Sequence, residues 1–215
     1  MLPWPFGRRV AAVEKVAPQE AYALWAPTYP PHPHNRLMEI EQRAVLELLP
    51  DVRGLTALDA GCGSGRYLRE LSARGATAIG VDVSSAMIDR AREITPRIAR
   101  ADLRALPFDA MTIDLVICAL ALGDVDDLEL ALSEIARVLR PAGRVIYSVV
   151  HPDGEAAGWS RTFESNGRQW AVDGYWHSLA RHRSACAAAG LSIDAWREPE
   201  LESGQRAALI VRAIR

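Results

Sequence analysis

Lysine is almost missing from this chain. Of its 25 cationic side chains 24 are arginine and one is Lys15, and they run from Arg8 to Arg215 without massing into a basic stripe. With 27 acidic residues and a formal net charge of -2, the pattern does not point to duplex nucleic acid as a partner. Cysteine is scarce as well. Cys62, Cys118 and Cys186 are odd in number and lack CxxC spacing, which argues against a disulfide framework or a zinc knuckle and suits a reducing cytosol. No apolar run reaches the ~20 residues of a membrane helix; the least polar stretch, Ile113 to Leu122, is interrupted by Asp114. The opening MLPWPFGRRVAAVEK also lacks the apolar core of about 7 to 15 residues that a signal peptide needs. The expectation is a soluble, cytoplasmic protein with no membrane partner.

At 215 residues, 49% hydrophobic and 24% charged, the chain suits one compact α/β domain. Residues 1–35 carry prolines at 27, 30, 31 and 33 and read as an arm or lid holding a short helix near 18–25. His32 and His34 stand in that arm without the cysteine or carboxylate company that a metal site needs, and no metal is expected. From residue 36 to 150 short apolar runs alternate with helical stretches, after an amphipathic helix that ends before Pro50. That rhythm predicts βαβ units and a doubly wound, mostly parallel sheet with helices on both faces. Residues 151–177 form a long aromatic connection expected to act as a lid over a substrate, or as a satellite core under a loop. A helix and two strands over 178–215 close the domain.

The chemistry concentrates in Leu58-Asp-Ala-Gly-Cys-Gly-Ser-Gly-Arg-Tyr67, where an apolar run enters Gly61, Gly63 and Gly65 and leads directly into a helix. Glycines there let the backbone turn tightly and approach a ligand, with free N–H groups at the helix start. A dinucleotide fingerprint would put its third glycine at the position of Arg66 and would favour pyrophosphate, which the preceding Asp59 repels. Asp59 suits a ligand bearing positive charge. Asp82 closes the next strand, 21 residues after Gly61, where a carboxylate can accept both hydroxyl protons of a ribose, or cap a helix. Asp102 follows the third strand and can take adenine amino protons, or serve a turn.

Four segments in order, LDAGCGSGRY, GVDVSSAMIDRAR, ADLRALPF and LRPAGRVIYSVV, resemble the class I S-adenosylmethionine-dependent methyltransferases. The likeness is to the small single-domain group typified by ubiquinone/menaquinone- and biotin-pathway enzymes, and covers residues 35–150 well. It implies a seven-stranded Rossmann-like sheet with the last strand antiparallel, and S-adenosylmethionine as cofactor. By that resemblance Asp59, Gly61, Gly63 and Gly65 surround the methionine portion and Asp82 holds the ribose, while Cys62 stands at a cofactor-facing position or packs as a small residue beside glycine. Val83, Met87, Asp102 and Leu103 belong with the adenine, while Tyr22 and Tyr29 resemble N-terminal tyrosines that fold over the cofactor. Ala119 and Leu120 would line the route to the acceptor.

The segment after the fourth strand lacks the Asn/Asp-Pro-Pro-aromatic tetrad found in members acting on base amino groups. A small-molecule acceptor methylated on O, N or C is therefore expected, without a nucleic-acid partner. A base is needed only if the acceptor arrives protonated, and the candidates are His151, directly after strand five, and His177. Each has a structural alternative. Trp170 and Tyr175 are the aromatic candidates for the acceptor pocket, and Asp126 with Glu129 reads as a helix-capping arrangement. The arm allows a homodimer. Two other readings stay open, an NAD(P)-dependent oxidoreductase and a non-catalytic binding subunit of the same fold.

Overall fold

The computed structural model describes residues 13–215; the first part of the expected arm, including its Pro-Trp-Pro, lies outside the described residues. The strands are β1 (Glu14–Val16), β2 (Thr56–Ala60), β3 (Thr77–Asp82), β4 (Ile98–Arg100), β5 (Ile113–Ala119), β6 (Leu139–Val150), β7 (Thr162–Ser165), β8 (Arg168–Val172), β9 (Ser192–Arg197) and β10 (Ala208–Ile214). The α-helices are α1 (Pro18–Trp25), α2 (Arg36–Leu48), α3 (Arg66–Ala73), α4 (Ser85–Ala91), α5 (Leu128–Val138), α6 (Asp153–Ala156) and α7 (Leu179–Ala188).

Seven strands form one sheet in the order β4-β3-β2-β5-β6-β10-β9. The first five run parallel, and β10 is antiparallel to both of its neighbours. The expected seven-stranded, mostly parallel sheet is present. Successive strand residues face opposite layers. Leu58, Val116, Val145 and Leu209 join α5 and α7 in one core, while Ala57, Leu115, Ile146 and Ala208 join α2 and α3 in the other. A sheet covered on both faces needs apolar residues at consecutive positions, which is why these strands read as unbroken hydrophobic runs. Asn35, Ser84, Asp127 and Ser178 cap α2, α4, α5 and α7, each side chain accepting from a backbone N–H of the first turn. The expected Asp126–Glu129 capping arrangement does not form, since Asp127 accepts from the Leu130 N–H at 2.9 Å and Glu129 pairs with Arg181 instead.

The connection from 151 to 177 is not an open lid. β7 and β8 form a hairpin, and β1 adds to β8 in parallel, making a second, three-stranded sheet. Its turn is Asn166-Gly167, with φ of 53° and 69°, the paired left-handed conformation of a two-residue hairpin that matches strand twist. Phe163 and Val172 pack with Val16, Ala21, Trp25 and Trp170 in a separate apolar cluster.

Chain order reverses between β2 and β5, and the loops leaving β2, β3 and β5 gather at that edge, where open α/β sheets collect ligands. Gly61, Gly63 and Gly65 all have positive φ there. A Cβ on Gly61 would stand 2.5 Å from the Cβ of Ala121, whereas one on Gly63 would meet nothing within 4 Å. Gly63→Ala should therefore cost only the left-handed backbone penalty, about 1–2 kcal/mol of unfolding free energy, and Gly61→Ala clearly more. Urea denaturation of the two variants checks this order; equal losses would mean that the β5 loop is not held against the glycine turn.

Candidate active site

Two cavities meet above this edge. The first, of about 320 Å³, is floored by the glycine loop and walled by Asp59, Asp82, Asp102 and Asp124. The second, of about 470 Å³, lies under the small sheet and is walled by Trp159, Arg161, Trp176, His177 and His182. Leu120 and Tyr175 line both. Leu120 has φ of 57°, unusual for a branched side chain, and its N–H is held by the carbonyl of Ser148 at 2.9 Å and the Ser148 hydroxyl at 3.0 Å.

Asp59 is buried, and its Oδ2 has no hydrogen-bond partner. Burial, partly opposed by the Arg66 guanidinium and reinforced by Asp82, raises its carboxyl from 3.8 to about 7. A buried carboxyl with a free oxygen is a receptor for a cationic hydrogen-bond donor. Asp82 is oriented by the loop itself, accepting from the Gly63 N–H and from the Ser84 N–H, both at 2.8 Å. Desolvation raises its carboxyl pKa as well. Asp102 lies in an ion pair with Arg104 at 2.7 Å, which holds its carboxyl below the usual range.

Gly61, Cys62, Gly63, Val83, Met87, Leu103 and Ala119 all line the first cavity, as do Tyr22 and Tyr29 from the arm. Gly65 does not; it starts α3 in the left-handed region with Ile94 packed against the face where a Cβ would stand. Tyr22 takes a hydrogen bond from Arg161 at 3.1 Å, and Arg161 is ion-paired with Asp124, so a half-buried cation, carboxylate and phenol stand between the cavities.

The expected acceptor-side residues divide. Tyr175 and Leu120 are at the junction, but Trp170 is elsewhere, its indole N–H donating to the Ser165 carbonyl and its ring under Arg168. His151 is fully buried and lines neither cavity. Its Nε2 meets Glu198 Oε1 at 2.9 Å and its Nδ1 accepts from the Asp153 N–H at 3.1 Å, so it pins the end of β6 and cannot face an acceptor. His177 lines the second cavity, yet both nitrogens are engaged, Nε2 with the Val125 carbonyl at 2.7 Å and Nδ1 with Arg181 at 3.1 Å. Neither histidine offers a free basic nitrogen.

Arg66, Asp124, Arg161, His182 and Glu41 are the site's unforeseen members. Glu41 lies outside both cavities, but it is buried in α2 and binds Arg66 at 2.8 Å, the Tyr67 hydroxyl at 3.0 Å and the Ser148 hydroxyl at 2.6 Å. Its signal was present: it falls on the stripe of α2 shared by Leu37, Ala44, Val45 and Leu48, where a carboxylate needs buried partners.

Residues 58–147 match a family model described as a methyltransferase domain. A malonyl-[acyl-carrier protein] O-methyltransferase of Salmonella typhimurium is 36% identical over 143 residues, 66% of this chain and 56% of that protein. The biotin biosynthesis bifunctional protein BioHC of Cellvibrio japonicus is 34% identical over 119 residues, 52% of this chain and 24% of that protein. The chain spans about half the length of the first of these, or less of the second. Among solved structures, an S-adenosylmethionine-dependent methyltransferase from Mesorhizobium loti superposes with a TM-score of 0.70 at 26% identity, over 82% of this chain and 98% of that one. A putative S-adenosylmethionine-dependent methyltransferase from Listeria monocytogenes has TM-score 0.69 at 22% identity, covering 82% and 98%, and shares the fold.

The raised carboxyl of Asp59 has a consequence for stability. Between 3.8 and about 7 the folded chain keeps a proton that the unfolded chain releases, so this group's contribution falls as pH rises through that window and is flat above it. Asp59→Asn removes the ionisation and should raise the melting temperature of the unliganded protein at pH 8 but not at pH 4. A thermal scan at both values is the check, and a variant no more stable at pH 8 would refute the burial penalty.

Proposed function

We propose, from the premise that this chain is a class I S-adenosylmethionine-dependent methyltransferase domain, that it transfers the methyl group to a carboxylate oxygen of a small or carrier-linked acyl acceptor. The observation that carries the donor half is the unpartnered Oδ2 of buried Asp59 beside the glycine loop.

The residues fit S-adenosylmethionine, which when bound supplies an electrophilic methyl group on a cationic sulfur. Asp59 would accept from its ammonium group, and Arg66, held by Glu41, would face its carboxylate. Asp82 has one lone pair of each oxygen committed to a backbone N–H, which leaves the other lone pairs for the two ribose hydroxyls. Val83, Met87 and Leu103 would flank the adenine, with Asp102 shared between its amino group and Arg104. Tyr22 and Tyr29, both kept as phenols by burial, would cover the methionine end. We read residues 13–35 and 151–177 accordingly as covers on a core of residues 36–150; the start of the expected arm lies outside the described residues.

Two lines support the acyl carboxylate. Relatives matched over 143 and 171 residues are named for malonyl-[acyl-carrier protein] O-methylation. Independently, in-line displacement from a sulfonium has a neutral leaving group and needs no acid, and a carboxylate arrives already ionised and needs no base. That suits a second cavity whose histidines are bound to the backbone or, in His182, lowered by burial to about 4. Arg161, paired with Asp124, and Lys15, paired with Asp173, are the cations that line this cavity.

Calorimetry with the methyl donor and with its thioether product should show binding that NAD and NADP do not, weakened about tenfold or more in Asp59→Asn through the loss of one charge-assisted hydrogen bond. Radiolabelled methyl transfer to the N-acetylcysteamine thioester of malonate tests the acceptor. Binding without transfer would retain the donor site and overturn the acyl reading; absence of binding would overturn both.

A further inference from the structure

Among the described residues three buried side-chain polar atoms have no hydrogen-bond partner: His34 Nδ1, Asp59 Oδ2 and His182 Nε2. A buried orphan of this kind costs about 1–3 kcal/mol, and native proteins keep few without a reason. Asp59 lines the first cavity and His182 lines the second.

His182 is fully buried on the inner face of α7. Its Nδ1 is 3.4 Å from the Tyr147 hydroxyl, which is itself 3.4 Å from Cys186 Sγ. Burial raises the pKa of both Tyr147 and Cys186, so phenol and thiol keep their protons. The phenol proton therefore has two possible acceptors at equal distance, an imidazole nitrogen and a sulfur. An sp² nitrogen is much the stronger acceptor, and a thiol is both a weak acceptor and a weak donor. In the arrangement these strengths favour, Tyr147 donates to Nδ1, the stronger acceptor, with the Cys186 S–H turned to the phenol oxygen. A neutral imidazole that accepts at Nδ1 carries its proton on Nε2, the nitrogen without a partner. Burial, with the neighbouring His177 and Arg181 adding to it, keeps this ring neutral at physiological pH. The other cavity histidine is spent, since His177 Nε2 donates to the Val125 carbonyl. In that tautomer the uncommitted atom is the buried Nε2–H of His182, a residue that lines the second cavity.

We infer that His182 is the residue that recognises the methyl acceptor, its Nε2–H donating to a carbonyl or carboxylate oxygen of the acyl group held in the second cavity. This rests on the acyl reading given above and adds to it the atom that selects an oxygen acceptor over an apolar group of the same size. The role is one of binding. No proton leaves His182, and the bond made and the bond broken are those of methyl transfer itself, oxygen to methyl formed and sulfur to methyl cleaved.

The test uses the full chain with the malonyl thioester of N-acetylcysteamine as acceptor. His182→Phe should raise the acceptor KM about tenfold, the worth of one hydrogen bond, with kcat changed less and donor affinity by calorimetry unchanged. His182→Gln, whose side-chain amide can place an N–H near the lost Nε2, should recover most of the loss. Nitrogen-15 spectra of the wild-type imidazoles, independent of turnover and of whether the phenylalanine variant folds, should show His182 protonated on Nε2 and that resonance shifting on acceptor binding. Unchanged KM in His182→Phe while the wild type turns over, or a proton found on Nδ1, overturns this inference and leaves the acyl reading standing. A wild type that binds donor but does not methylate the thioester overturns both together.

Discussion

A carboxylate with no exposed surface ties the site together. Glu41 sits behind the glycine loop, and an unpaired charge there would be costly, so its contacts must hold together. Each contact reaches a different working part. Arg66 opens α3 and faces the first cavity, Tyr67 packs beneath it, and Ser148 passes the constraint to Leu120 by accepting its N–H. One side chain of α2 thereby links the donor-side cation to the residue at the junction of the two cavities. Charge-assisted hydrogen bonds of this kind are directional, so they fix position as well as neutralise charge.

Around this anchor the two cavities have opposite characters. The first is acidic and shaped by backbone, its carboxylates oriented by loop N–H groups or by arginines. That environment favours a ligand with a cationic end and hydroxyl and amino donors along its length. The second is aromatic, with Trp159, Trp176 and Tyr175 in its wall beside Arg161, Lys15 and two histidines. The Arg161–Asp124 pair, capped by Tyr22, stands where they adjoin and separates their fields. A sulfonium on one side and a carboxylate on the other would lose their charges on reacting, and a low-dielectric junction favours that neutralisation.

Much of the sheet was legible in the sequence because a parallel strand buried on both faces must be apolar at nearly every position, and TALDA, TAIGVD and IDLVICA are short runs of that kind. The start of β6 was not: the strand begins at Leu139, straight out of α5, and runs through Pro141 and a left-handed Ala142 that read as loop. The small sheet was missed although Asn166-Gly167 between two short runs is a strong hairpin signal, because the aromatic residues drew the reading toward a lid. Its partner β1 is contributed from more than 150 residues away, which no local pattern reveals.

The same division holds in the site. The glycine loop was legible because its positive φ angles call for glycine, and Asp59 and Asp82 stood out as candidates because each is a carboxylate near the end of an apolar strand. His151 was misread because its fate depends on Glu198, 47 residues on, which claims its Nε2. Trp170 was misread because its ring packs against the cluster of Val16, Ala21, Phe163 and Val172. His182 gave no sign at all, since its Nδ1 contact is Tyr147 of β6, 35 residues away in the chain. The most direct measurement of the central claim is a crystal structure with the thioether product bound. The account predicts its ammonium within hydrogen-bond distance of Asp59 Oδ2 and its sulfur toward Leu120 and Tyr175; an ammonium remote from Asp59, or a product seated in the second cavity, would contradict it.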